Sequence, residues 1–167
     1  MTDEQRRRQR LVNVVLDEQT LVRRRPEVEH ERAVAIYDLI DENHFAPIGD
    51  YSGPYILHVR LDEGGQRLIC AIHSESDARL GEIVLPLAPL RQIIRDYFTV
   101  CDSYYEAIRT APPHRIEAID MGRRGLHDEG SRILRERLAS MVDIDTATAR
   151  RLFTLIYVLH GRGSGRP

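Results

Sequence analysis

The sequence contains no lysine, because all 24 of its basic residues are arginine. A Walker-type phosphate loop requires a lysine, and lysine Schiff-base and lysine general-base mechanisms do too, so these chemistries are excluded. The formal net charge of −2 and the pI near 6.4 argue against nucleic acid as a general partner. A weaker hypothesis, RNA binding, rests on the N-terminal arginines, with residues 1–10 as the segment that binds.

Long apolar runs are also absent. No stretch approaches the ~20 apolar residues of a membrane span. The N-terminal MTDEQRRRQR has no apolar segment behind it that is long enough for a secretion signal. Cysteine is scarce, since Cys70 and Cys101 stand alone without metal-ligand spacing, and we interpret both as reduced core residues. These absences predict a cytoplasmic protein that contacts no membrane.

The length of 167 residues is enough for one domain with a sizeable core. Residues 1–10 are basic and have little to bury, so we predict a disordered arm there. The domain is expected over residues 11–160. The last residues, 161–167, read GRGSGRP and predict a flexible tail.

The strands are predicted from alternating patterns. LVNVVL at 11–16 is one strand, residues 55–61 and 66–72 form a hairpin around the turn at 62–65, and a third strand of the sheet runs from 82 to 87. The hairpin register predicts one buried face, formed by Tyr55, Leu57, Val59, Leu68, Cys70 and Ile72. His58 and His73 share the other face. Two histidines alone do not make a zinc site, so we predict no metal and no cofactor.

Helical patterns cover residues 26–43, 89–110, 113–121, 124–141 and 146–160. Together with the strands they predict an α+β fold, in which a small, mainly antiparallel sheet of three to four strands packs against helices and a C-terminal helical cluster follows. The last helix contains LFTLIYVL, which is apolar nearly all round. Such a helix is usually buried in a bundle or in a subunit interface.

The helix at 89–110 has an apolar seam at spacings of four and three, formed by Leu90, Ile94, Tyr97, Cys101, Tyr104 and Ile108. Beside it, Arg91 and Arg95 are like charges one turn apart, and Asp102 and Glu106 are another such pair. Like pairs at this spacing cost about a few tenths of a kcal/mol each in isolation. We therefore expect each pair to find its countercharge in another helix, with Asp128 and Glu129 as candidates for the arginines, or in an anionic ligand.

A second candidate feature is the stretch Gly122-Arg123-Arg124-Gly125 before His127. The glycines could let a loop fold back and offer backbone N–H groups at a helix start, with two arginines beside them, which would make an anion site. The alternative is a plain turn between two helices with solvated arginines, because the spacing matches no established phosphate loop.

Five stretches of the chain resemble the uncharacterised bacterial protein family UPF0262: VEHERAVAIYDLIDEN, PLRQIIRDYF, SYYEAI, IEAIDMGRRGLHDEGS and DTATARRLFTLIYVLHGRG. They span about residues 28–163. The resemblance implies a cytoplasmic bacterial protein. The family has no assigned activity, so the resemblance brings no catalytic residues to this chain.

Two functional hypotheses follow. The first is a small binding or regulatory module that acts through a protein partner or through self-association, because no complete catalytic set is visible and the last helix could supply an interface. The second is an enzyme or sensor for a small phosphorylated or carboxylate anion, held by Arg91, Arg95, Arg123, Arg124 and His127. The anion hypothesis requires these five residues to converge.

Overall fold

The computed structural model describes residues 2–17 and 25–163, with side chains described up to His160. The elements are α1 (Asp3–Arg8), β1 (Leu11–Leu16), α2 (Pro26–Asp41), β2 (Phe45–Pro47), β3 (Tyr55–Leu61), β4 (Arg67–Ser74), β5 (Arg79–Pro86), a 3-10 turn (Ala88–Leu90), α3 (Arg91–Thr110), α4 (Pro113–Leu138), β6 (Val142–Ile144) and α5 (Thr146–Gly163). Of the tail predicted at 161–167, the first three residues continue α5 and the rest lie outside the described residues.

The main sheet has four strands in the order β1-β3-β4-β5. β1 pairs with β3 in parallel, whereas β3–β4 and β4–β5 are antiparallel. The chain passes through α2 between the two parallel strands, as the long connection of a parallel pair requires. The α+β class and the mainly antiparallel sheet are therefore confirmed. Pro86 ends β5 at the edge of the sheet, where its missing N–H leaves no ladder bond unmade.

The hairpin register is confirmed. Leu57 pairs with Ile72 and Val59 with Cys70, and all four side chains are buried on the face that meets the helices. The hairpin closes on residues 63–66, because the amide of Asp62 donates to the carbonyl of Arg67 at 3.0 Å. The longer turn still pairs odd positions with even ones, so the same residues are buried. Both cysteines are free and buried, and burial raises the pKa of each thiol to about 12.

The apolar helix α5 lies inside the monomer. Every residue from Leu155 to Leu159 is buried, as are Leu152 and Phe153. α2 and α4 both pack on α5, and α3 and β3 also contact it. Of the two places predicted for this helix, the structure gives the bundle interior, so none of the large apolar side chains between residues 146 and 160 is exposed to a partner. A self-association interface on residues 146–160 loses its support.

The predicted break between residues 121 and 124 is wrong. α4 is one continuous helix from Pro113 to Leu138. A glycine in a helix costs about 1 kcal/mol relative to alanine, which does not break a long helix that is packed elsewhere. Because Gly122 and Gly125 lie inside this helix, their backbone N–H groups do not form an anion-binding loop. Both glycines face open space.

The seam predicted along α3 is correct at its start and wrong at its end. Ile94, Tyr97 and Cys101 are buried, but Ile108 is 45% exposed and the buried positions of the last turns are Tyr105 and Ala107. An α-helix has 3.6 residues per turn, so a repeat of four and three drifts off the buried face within a few turns.

The N-terminal segment and two short strands also differ from the prediction. In place of a disordered arm, residues 3–8 form α1, which begins with a capping box between Thr2 and Gln5. Arg8 donates from Nε to the carbonyl of Gly53 at 3.0 Å, which ties the segment to the loop before β3. β2 is not among the predicted strands, and it pairs with β6, which lies just past the end of a predicted helix. The predicted helix 124–141 therefore ends earlier, at Leu138.

Gly130 of α4 supports one test of this packing. A Cβ there would overlap the buried ring of Phe153, so we expect Gly130→Ala to lower the free energy of unfolding by about 1–3 kcal/mol. The matched control is Gly122→Ala in the same helix, whose added methyl meets nothing and should raise the stability by about 0.5–1 kcal/mol. Urea unfolding measures both. Equal stabilities of the two variants would contradict the close approach of α4 to α5.

Candidate functional site

Charged and polar side chains meet along a line where α2 and α4 pack on α5. We call this set the polar seam, and it consists of Glu31, Asp38, Arg123, His127, Arg151 and Thr154. Glu31 and Asp38 come from α2, seven residues apart and hence on one face of that helix. Arg123 and His127 are one turn apart on α4.

His127 occupies the centre of the seam. Its Nε2 lies 2.8 Å from Oγ1 of Thr154, and its ring packs edge-on against Tyr97 and Phe153, at centroid distances of 5.4 and 5.2 Å. Burial and, after it, the nearby Arg150, Arg123 and Arg151 together lower the pKa of His127 to about 4. The ring is therefore neutral at pH 7 and sits in a positive field.

One end of the seam is an ion pair between α2 and α4. Arg123 Nη1 lies 3.7 Å from Oε1 of Glu31, and Arg123 also donates from Nη2 to Asp120 Oδ1 at 2.6 Å. Burial raises the pKa of Glu31 despite the opposing effects of Tyr105 and Arg123. Oε2 of Glu31 and the Tyr105 hydroxyl are both buried, and neither makes a hydrogen bond of good geometry in the described part of the chain.

The other end of the seam is arginine-rich. Arg150 pairs with Asp128 of α4. Arg151 Nε lies 3.5 Å from Oδ2 of Asp38, which makes an ion pair but not a hydrogen bond. The Nε atom is buried and finds no acceptor among the described residues, although 35% of the Arg151 side chain is exposed. A buried donor without an acceptor is rare in folded proteins and calls for an explanation.

The five residues proposed from the sequence fall in three places, so they do not converge as the anion hypothesis required of them. Arg123 and His127 both lie in the polar seam. Arg91 and Arg95 lie near the opposite end of α5, beside His160. Burial lowers the pKa of His160, and the positive charges of these two arginines lower it further. Arg124 points outward, is 61% exposed, and pairs with Asp120 at 3.0 Å.

The countercharges predicted for α3 are found in part. Arg25, just before α2, lies 3.7 Å from both Asp102 and Glu106, so the two carboxylates share one countercharge from the chain. Asp128 pairs with Arg150 instead of with the arginines of α3. Sequence reasoning missed Glu31, Arg150 and Arg151 because each is an ordinary charge in a helical pattern. The only signal in the sequence was the Arg150-Arg151 pair just before the apolar LFTLIYVL run.

The chain matches one protein family over most of its length. The sequence model of the uncharacterised protein family UPF0262 matches residues 8–162. The chain belongs to this family. The UPF0262 protein of Paramagnetospirillum magneticum is 55% identical over 156 residues, which cover 93% of this chain and 98% of that protein. UPF0262 proteins of Rhodopseudomonas palustris (strain TIE-1) and Nitrobacter winogradskyi are 58% and 56% identical, and each match covers more than nine tenths of both chains.

The UPF0262 relatives have no assigned role, so their similarity assigns no function to this chain. No solved structure matches this chain. Among the described residues, no helix has both the length and the apolar character that crossing a bilayer requires.

The shifted pKa of His127 predicts a pH dependence of stability. The unfolded chain binds a proton at this ring near pH 6.5, but the folded chain only near pH 4, so stability is full above pH 6.5 and is lost as the pH falls towards 4. His127→Gln keeps a hydrogen-bonding group for Thr154 and removes the titration. We expect the wild type to lose about 1–3 kcal/mol more than this variant between pH 6.5 and 4.

Urea unfolding at a series of pH values measures the difference. The exposed His114 of α4 gives the control, and His114→Gln should follow the wild-type profile. Parallel profiles for the wild type and His127→Gln would show that the ring is not held neutral by burial.

Proposed function

We propose that this UPF0262 protein binds a small carboxylate or phosphorylated anion in the polar seam, at Arg151. The observation that carries the proposal is the buried Nε–H of Arg151, which has no hydrogen-bond acceptor among the described residues. An anionic oxygen is the acceptor that a guanidinium prefers, and the planar fork of arginine suits carboxylates and phosphates.

The surroundings of Arg151 favour an anion. Arg150, Arg123 and Arg151 all act on His127, so their fields overlap at the centre of the seam. The hydroxyl of Thr154 lies one turn further along α5 and donates to the carbonyl of Arg150 at 3.3 Å. If Nε2 of His127 is the donor to Thr154, the hydroxyl proton can turn from that carbonyl to a ligand.

The carboxylates that already pair with Arg150 and Arg151 limit the strength of anion binding. Asp38 pairs with Arg151 and Asp128 with Arg150, so a bound anion would exchange with carboxylates of the chain instead of filling an empty positive site. The free energy of binding is then the difference between the energies of two ion pairs, so we expect modest affinity. The affinity should fall with added salt, because the arginines are partly exposed.

A protein partner is the second candidate, and it now rests on α2 instead of α5. Val34 and Tyr37 lie three residues apart on the outer side of α2 and are 42% and 72% exposed. Exposed aromatic side chains are enriched where proteins meet. The cytoplasmic location is part of the same proposal and is supported by the two buried, reduced cysteines.

The anion proposal is tested by calorimetric and NMR titration of the full chain with two probes, inorganic phosphate and succinate. We expect saturable binding of at least one probe, with chemical-shift changes at Arg151 and Thr154. Arg151→Gln should weaken that binding at least about 10-fold, because a charge-assisted pair is lost.

Arg132→Gln is the matched control. Arg132 is 60% exposed, pairs with Glu136 on the same helix, and lies outside the seam, so its loss should leave the affinity unchanged. The anion proposal fails if neither probe saturates the protein, or if the two arginine variants lose affinity equally. In those cases Val34→Ser and Tyr37→Ser become the variants for tests of a protein partner.

A further inference from the structure

Two histidines meet on the outer face of the sheet, opposite the helices. His58 pairs with Ala71 and His73 pairs with Ile56, so the two histidines are diagonal neighbours on one face of the β3–β4 hairpin. Their ring centroids are 4.1 Å apart. Both side chains are partly buried, at 30% and 18% exposure, so their rotation is restricted.

The turn between β4 and β5 brings a carboxylate to the same place. Asp77 adopts φ +65°, a left-handed conformation that aspartate tolerates better than most residues. The turn is closed by hydrogen bonds from the Ser74 amide to the Ala78 carbonyl and from the Asp77 amide to the Ser74 carbonyl, both 2.9 Å. In this conformation Oδ1 of Asp77 lies 3.0 Å from Nε2 of His58 and 3.0 Å from Nδ1 of His73.

We propose that His58, His73 and Asp77 form a binding site for a divalent transition-metal ion of the zinc type. One ligand atom from each residue lies within 4.8 Å of the other two. Ligands about 2.0–2.1 Å from a tetrahedral zinc ion are about 3.3 Å from one another, close to the two observed separations of 3.0 Å. Small outward shifts of the side chains would admit the ion.

The donor set also selects the class of ion. Two imidazoles and one carboxylate suit zinc and its transition-metal neighbours, whereas calcium and magnesium prefer oxygen ligands alone. Three protein ligands leave a coordination position for water or for a group on a partner molecule. The site lies on the face of the sheet turned away from the helices, so it is independent of the anion site proposed in the polar seam.

A bound ion has to replace the hydrogen bonds that hold the cluster together without it. Nδ1 of His73 is also 3.1 Å from the backbone carbonyl of Asp77, and it can donate to that oxygen or bind the ion, but not both. Asp77 is 60% exposed, so the contacts between its carboxylate and the two histidines compete with water and contribute little to stability. The metal-ligand bonds compete with weak interactions.

The chain contains a matched control for this cluster. His44 Nε2 lies 3.2 Å from Oδ2 of Asp143, so a histidine and an aspartate meet there as well. The histidine exposure is 30% in both places. No second histidine joins this pair among the described residues, and two ligands do not hold zinc firmly. The two sites therefore differ in the number of metal ligands, which is the property that the proposal depends on.

Competition titration of the full, untagged chain with Zn²⁺ and a chromophoric chelator tests the proposal. We expect one equivalent of zinc to bind, and Asp77→Asn and His58→Gln each to weaken that binding at least about 10-fold. Asparagine also tolerates the left-handed conformation, so the turn should keep its fold. Asp143→Asn should leave the zinc affinity unchanged. Substitution with Co²⁺ gives a second readout, because tetrahedral coordination produces a strong visible absorption that the two site variants should lose.

Three results would overturn the proposal. The first is the absence of stoichiometric zinc binding. The second is zinc binding that both Asp77→Asn and His58→Gln leave intact, which would place the ion elsewhere. The third is an equal loss of affinity in Asp77→Asn and Asp143→Asn, which would mean that any surface His–Asp pair is sufficient.

Discussion

The burial of α5 is the constraint on which the rest of the structure depends. The run from Leu152 to Leu159 of this helix is apolar nearly all round, so it has to be enclosed on every side. The sheet covers one side, where Leu152, Leu155 and Ile156 share a small apolar cavity with Leu57 and Val59. α2, α3 and α4 cover the others, and Gly130 lets α4 approach the ring of Phe153 closely.

The same constraint creates the polar seam. Arg150 and Arg151 lie in the second turn of α5, just before its apolar part, and the helices that enclose that part also enclose these arginines in part. Charges removed from water need partners, so α2 supplies Asp38 and α4 supplies Asp128. The pairing is incomplete at Nε of Arg151 and at Oε2 of Glu31. A buried donor left open is rare in a purely structural ion-pair network, and this one supports an anion at Arg151.

Structural features that depend on a residue's neighbours in the sequence could be predicted. The period of two in the hairpin predicted which residues are buried, and the repeat around Tyr97 and Cys101 predicted α3. Features that depend on distant partners could not. β6 is three residues long and is recognisable only by its pairing with β2. Gly122 and Gly125 indicated a break, but packing of the second half of α4, from Gly130 to Leu138, holds the helix and outweighs their local preference. Asp77 is one acidic residue in a polar turn, and only its conformation brings it to the two histidines.

Native-state hydrogen exchange of α5, followed by NMR, tests the central claim most directly. If α5 is the enclosed element on which the other layers are built, the amides of residues 153–159 should exchange only when the whole domain unfolds. Their free energies of exchange should then equal the free energy of unfolding measured with urea. Exchange of these amides through an opening that leaves the sheet folded would contradict the account, because α5 would then be a peripheral element instead of the centre of the core.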